Sequence, residues 1–146
     1  MATMISEEAA ILCVNTLTEL LDAEGDDPAQ IIIWGGPVPA AVNDPVDGSC
    51  QVLATFELPA TTFGVAAVNG VNVEALMNPA VAMTVLGEAN GTATFCRFYN
   101  GLGDAVLQAD VGLADSGALV ILNTLTIHTA EDVTIGEVPI LQMPIR

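Results

Sequence analysis

After Pro28 the hydrophobic pattern of this chain switches to a period of two and holds it almost to the end. Short apolar runs follow one another, each stopped by glycine, proline, asparagine or an acidic turn. Residues 30–34 are halted by Gly35-Gly36-Pro37. Residues 51–58 alternate, with Val52, Ala54, Phe56 and Leu58 on one face and Leu53, Thr55 and Glu57 on the other. Residues 71–77 and 80–86 form a pair around Asn78-Pro79. Residues 92–99 lead into Asn100-Gly101, the strongest short hairpin signal in the chain, and 105–111 continue beyond it. Residues 119–128 and 133–142 complete the set, divided by Ala130-Glu131-Asp132. Alternation of this kind turns one side of each strand to a core and the other to solvent. About eight short strands without a βαβ rhythm predict a mainly β fold, an antiparallel β-sandwich or jelly roll, with a barrel as its rival.

One helix precedes the strands. Ser6 is a suitable N-cap, and Glu7 and Glu8 complement the helix dipole in the first turn. Ala9, Leu12, Cys13, Leu17, Leu20 and Leu21 recur at spacings of three and four, which predicts one apolar stripe. Gly25 followed by Asp26-Asp27-Pro28 ends the segment. The helix is expected over residues 7–23, its stripe packed on the domain's own sheet or on a neighbouring subunit. At the far end, Pro139 and Pro144 interrupt the apolar stretch 138–146. Proline forbids a regular central strand there. The stretch is expected to lie along a partner's surface, with a terminal edge strand as the alternative. A single domain results: helix 6–24, sandwich 29–137 and apolar tail 138–146.

Charge narrows the classes of partner. The chain has no lysine; its two basic residues, Arg97 and Arg146, stand against eighteen acidic ones, for a formal net charge of −16. Such a surface repels nucleic acid and anionic lipid. Charged residues make up only 14% while 52% are hydrophobic, so little charge remains to cover a free surface. Part of that surface is expected to be covered by another protein. The apolar runs are far shorter than the ~20 residues of a membrane-spanning helix. The opening residues 1–8 carry acids where a signal peptide needs a basic and then an apolar region. Cys13, Cys50 and Cys96 are expected to be reduced, buried thiols of a protein made in a cytoplasm; a disulfide between two of them would leave the third free.

Catalytic chemistry finds little purchase, and the chain is expected not to be an enzyme. Nucleophilic catalysis needs a nucleophile, a base and an orienting group. The one histidine, His128, ends an alternating run on a polar face, and Ser6, Ser49 and Ser116 read as a cap and two turn residues. A Cys96–His128 pair is the remaining possibility. Carboxylates cluster in turns such as Asp44/Asp47 and Glu131/Asp132, where they solvate loops. Residues 43–49 offer oxygens to calcium but lack EF-hand spacing, and scattered Cys and His supply no zinc pair. Gly101-Leu102-Gly103 has no third glycine for a phosphate loop, and Asn90-Gly91-Thr92 reads as a turn. No cofactor and no metal are expected.

Several segments together resemble a family of small virion proteins of tailed bacteriophages, the capsid decoration (cement) type. They are Leu20-Leu21-Asp22-Ala23, residues 30–34, Gly36-Pro37-Val38-Pro39-Ala40, Gln51-Val52-Leu53-Ala54-Thr55-Phe56, Phe63-Gly64-Val65-Ala66, residues 91–99 with Cys96-Arg97-Phe98-Tyr99, and Leu122-Asn123-Thr124. The resemblance implies a β-sandwich on the outer surface of a head shell, assembled in the host cytoplasm. Its partners would be the major capsid protein and its own copies as a homotrimer, with no nucleic acid and no membrane. Tail and neck proteins use similar sandwiches and are the alternative; a calcium-dependent carbohydrate-binding sandwich is the second. The residues expected at interfaces are Leu12, Leu17 and Leu20 on the helix, Trp34, Val38 on the proline-rich loop, and Ile140, Leu141, Met143 and Ile145 in the tail. Arg97 is expected either in an ion pair with a carboxylate, buried or interfacial, or exposed among nearby acids.

Overall fold

The computed structural model describes residues 4–22, 27–59, 61–77 and 83–145. Helix α1 spans Glu7–Asp22. Ser6 caps it: its Oγ accepts the Ala9 N–H at 3.1 Å and its carbonyl accepts the Ala10 N–H at 3.0 Å. The predicted stop at Gly25 lies outside the described residues.

Among the described residues twelve short strands follow: β1 (Gln30–Gly35), β2 (Gln51–Glu57), β3 (Ala67–Asn69), β4 (Asn72–Leu76), β5 (Met83–Leu86), β6 (Gly91–Tyr99), β7 (Ala105–Ala109), β8 (Val111–Gly112), β9 (Val120–Ile121), β10 (Thr126–Ile127), β11 (Asp132–Ile135) and β12 (Ile140–Pro144). The fold is mainly β with one N-terminal helix, a sandwich-like arrangement of antiparallel sheets, as the alternation predicted. Three of the four strands beyond the eight expected arise because long runs break, and the fourth, β3, lies outside every predicted run. Asp110 divides β7 from β8, and residues 136–139 divide β11 from β12. Residues 119–128 split into β9 and β10, and β8 pairs with β9 in parallel.

The largest sheet is centred on β6, the longest strand. β1 pairs along one edge of β6 and β2 continues beyond β1, while β7 and β10 share the other edge. Asn100-Gly101 makes the β6–β7 turn as expected, the Asn100 Oδ1 accepting the N–H groups of Leu102 and Asp104. A second sheet runs β12-β4-β3, and β5 pairs with β11. The strands expected to pair around Asn78-Pro79 therefore lie in different sheets. Asn69-Gly70 closes a β3–β4 hairpin with Gly70 at φ +64, occupying one edge of β4, and β12 takes the other. Residues 78–82 lie outside the described residues.

The chain end is a strand and not a detached tail. Ile140 faces Leu76 and Pro144 faces Asn72, and the ladder is bracketed by bonds from Met77 N–H to Pro139 O (3.0 Å) and from Ile145 N–H to Val71 O (2.9 Å). With alternate residues bonding inward, the nitrogen of Pro144 points to the free edge, where no donor is needed. Proline thus permits an edge strand that it would forbid in the middle of a sheet.

Ile31 and Ile33 of β1, Ala54 and Phe56 of β2, and Cys96 and Phe98 of β6 lie side by side on one face and are fully buried. Leu53, predicted on the outer face of β2, is buried too, because Gly35 leaves it room. A Cβ on Gly35 would sit 3.1 Å from the Leu53 side chain and 2.8 Å from the Thr92 carbonyl. The Phe98 ring tilts against Phe63 at 6.2 Å, and Phe63 bridges to Met77 just beyond β4. That ring pair links the large sheet to the β12-β4-β3 sheet. Helix α1 packs on β4, β12 and β3 with Ala10, Val14, Thr18 and Leu21 inward.

Candidate functional site

Two features stand out against this frame: a loop fastened over the outer face of the large sheet, and an apolar helix face left exposed. Register places Ile32 beside Arg97 and Trp34 beside Phe95, on the face opposite the Ile31/Phe98 core. The polypeptide leaving β1 turns back over that face. Gly36 makes the turn at φ +110, where a Cβ would come within 3.0 Å of the Cys50 backbone. Arg97 then holds the loop down. It is 4% exposed; its Nε donates to Gln108 Oε1 at 2.9 Å, and its Nη2 donates to the carbonyls of Asp44 (2.7 Å) and Ala41 (3.1 Å). Gln108, directly across from Arg97 on β7, donates to Pro39 O at 2.8 Å.

Among the described residues no carboxylate pairs with Arg97, and its burial rules out an exposed strand residue. Loop carbonyls and a glutamine satisfy it because the register and the returning loop bring them there. The same packing withdraws Trp34 from the surface. Trp34 is half-buried and stacks on Phe95, with centroids 6.3 Å apart and planes 8° apart. Val38, on the loop, stays exposed as expected. In β12, Leu141 and Ile145 are buried and Ile140 and Met143 half-buried, so the tail residues expected on a partner mostly serve the chain's own fold.

The helix has two apolar stripes, not one. The buried stripe, Ala10, Val14, Thr18 and Leu21, is made largely of small residues, and the Thr18 hydroxyl is absorbed by the Asn15 carbonyl at 3.0 Å. The larger leucines point the other way: Leu12 is 61% and Leu20 48% exposed, and Leu17 is half-buried. With Cys13 and Thr16 they line a shallow groove of about 420 Å³. The structure thus brings together the three helix residues expected at an interface, whereas Trp34, Val38, Arg97 and the β12 residues do not line that groove. The reading of one stripe merged these two. The missed signal was Ala10 and Val14, which stand at helical spacing from Leu21 but are small.

Elsewhere the polar groups serve local structure. Asp47 Oδ1 accepts the Ser49 hydroxyl at 2.6 Å and the Ser49 N–H at 2.8 Å. These two bonds, the hydroxyl's first, hold the Asp47 carboxyl below its ordinary pKa. Asp44 Oδ2 accepts the Ala41 N–H at 3.1 Å. Of the oxygens considered for calcium, Asp44 Oδ2 and Asp47 Oδ1 are thus engaged in the loop's own turns. Among the described residues no group of three or more His, Cys, Asp and Glu is arranged to hold a metal ion, and no helix is long and apolar enough to cross a membrane.

All three cysteines are free, but only Cys96 is buried. Burial, and then the charge of Asp110, raise its thiol pKa well above the ordinary value. That is the reverse of nucleophile activation. Cys50 is half-buried with its S–H directed at Pro37 O at 3.2 Å, and Cys13 is exposed on the helix groove. In the native protein a maleimide reagent is therefore expected to modify Cys13 first, Cys50 more slowly and Cys96 only after denaturation. Peptide mapping by mass spectrometry reads the order, and rapid native labelling of Cys96 would contradict the packing of β6.

Fold and surface together define an acidic β-sandwich whose packed helix turns a second, apolar face outward. No protein family, curated protein or solved structure matches the chain.

Proposed function

We propose that the protein is a non-catalytic structural component that decorates and stabilises the outer capsid shell of a tailed bacteriophage. It would bind the major capsid protein and further copies of itself, as a homotrimer, through protein–protein contacts. The observation that carries this reading is the inverted helix, with small residues packed inward and Leu12, Leu17 and Leu20 lining an outward groove. A free monomer gains nothing from that arrangement, whereas a chain that docks on a larger body does. The uniformly acidic surface supports an outward position, because packaged nucleic acid would repel it. The sequence resemblance supplies the setting.

Imaging of purified particles tests the proposal. Density for this chain repeated over the whole shell lattice is the expected result. A ring at a single vertex would assign it to a tail or neck instead. Its absence from particles, together with monomeric behaviour at high concentration, would remove the reading altogether.

A further inference from the structure

The outward groove of α1 has a definite electrostatic setting. Along a helix, residues four apart form a row, so Glu8, Leu12, Thr16 and Leu20 form one such row. Cys13 and Leu17 lie to one side of it, and Asn15 and Glu19 to the other. Glu8 and Glu19 are exposed, the first turn carries Glu7 and Glu8, and the last turn has no base to balance them. Asn15 and Asp22 are tied down: their side-chain oxygens accept the N–H groups of Ala66 (3.0 Å) and Thr62 (2.8 Å). The helix is thereby pinned to the 61–66 segment along one flank, and its apolar row is left open. Among the described residues the only Lys or Arg is Arg97, which is buried under its loop.

We infer that this face docks into an apolar groove rimmed by lysine or arginine on a different protein, and not onto a second copy of this chain. The inference rests on the docking role proposed above and specifies the surface and chemistry of the contact. Leucines seated in an apolar groove would supply the buried centre, and Glu8 and Glu19 would meet the basic rim. A second copy would place Glu8 and Glu19 against carboxylates within a Debye length, with no exposed lysine or arginine among the described residues to offset them. Self-association of the proposed trimer would therefore use another part of the molecule.

The test uses the purified full chain and a fluorescent amphipathic helical peptide of leucine and lysine, about five turns long. A twin peptide carries glutamate in place of lysine. At low salt the leucine–lysine peptide is expected to bind and to slow labelling of Cys13, while the twin does not. Leu12→Ser with Leu20→Ser is expected to weaken binding about tenfold or more, as loss of central apolar anchors does. The exposed pair Val68→Ser with Leu76→Ser, on β3 and β4, should leave it unchanged. Glu8→Gln with Glu19→Gln should weaken binding about threefold at low salt and have no effect near ~1 M salt, where screening removes the charge contribution. Circular dichroism checks that each variant is folded.

Equal binding by the helix variants would reduce the effect to net charge and overturn the inference. Equal binding of the glutamate twin would remove the basic rim. A dimer of the chain itself that is lost with Leu12→Ser and Leu20→Ser would make the occupant a second copy. None of these results depends on phage particles, so the shell reading and the docking surface fail independently.

Discussion

Replacing Phe98 by alanine is expected to lower the unfolding free energy by about 3–5 kcal/mol, the usual range for a buried phenylalanine. The side chain is fully buried, lies between Ile31 of β1 and Leu107 of β7, and tilts against Phe63 at 6.2 Å. Its removal leaves a cavity at the point where the large sheet meets the segment leading into β3, and backbone on both sides limits collapse. Domains are stable by about 5–15 kcal/mol in all, so this variant should sit near the edge of folding. Urea unfolding measures the loss, with an unchanged slope expected if the native state keeps its shape. A loss below about 1 kcal/mol would contradict the packing described, since cavity formation at such a site costs more. Leu76→Ala, at an exposed position on β4, serves as the control and should cost about 0.5 kcal/mol or less.

Arg97→Met is expected to cost about 3 kcal/mol. The side chain of methionine can fill much of the space but replaces none of the three hydrogen bonds to Gln108, Ala41 and Asp44. Gln108 and two loop carbonyls then lose their partner beneath the loop. The signature that separates this from a simple core defect is local. Residues 37–49 should lift, Cys50 should react faster with maleimide because its contact with Pro37 belongs to the same loop, and Trp34 emission should move to the red. Arg97→Lys should fall between, since an ammonium cannot span Gln108 and both carbonyls as the guanidinium fork does. A double-mutant cycle with Gln108→Leu is expected to give a coupling of about 1–3 kcal/mol. Unchanged stability together with unchanged Cys50 labelling in Arg97→Met would show that the loop is held by something else.

How much of this was readable beforehand differs from element to element. Ser6 and the two glutamates marked the helix start, and the structure has the cap where they put it. Asn100-Gly101 marked the β6–β7 turn for the same reason: its chemistry is local, one side chain bonding to backbone a few residues away. The partner of β4 was not readable. Residues 71–77 and 80–86 are adjacent in the chain, yet β4 is flanked by β3 and by β12 from the far terminus. Asn69-Gly70 is also an Asn-Gly pair, but β3 before it is only three residues long and exposed throughout, so it shows no alternation of its own. Arg97 was conspicuous by its rarity, and its surroundings were still misjudged. Its acceptors are main-chain carbonyls, which every residue has and no sequence pattern displays.

Amino-acid order alone determined the mainly β class, the single leading helix, its cap and the acidic, lysine-free character, because propensity, alternation and charge act over a few residues. Tertiary structure decided which strands pair, that the C-terminal segment closes a sheet, which side of the helix faces inward, and that Arg97 lies beneath a loop. Those outcomes depend on contacts between distant segments. Close approach of the helix to β4 and β12 selects small residues such as Ala10 and Val14 for the buried side, and the leucines that dominate the pattern are left facing out.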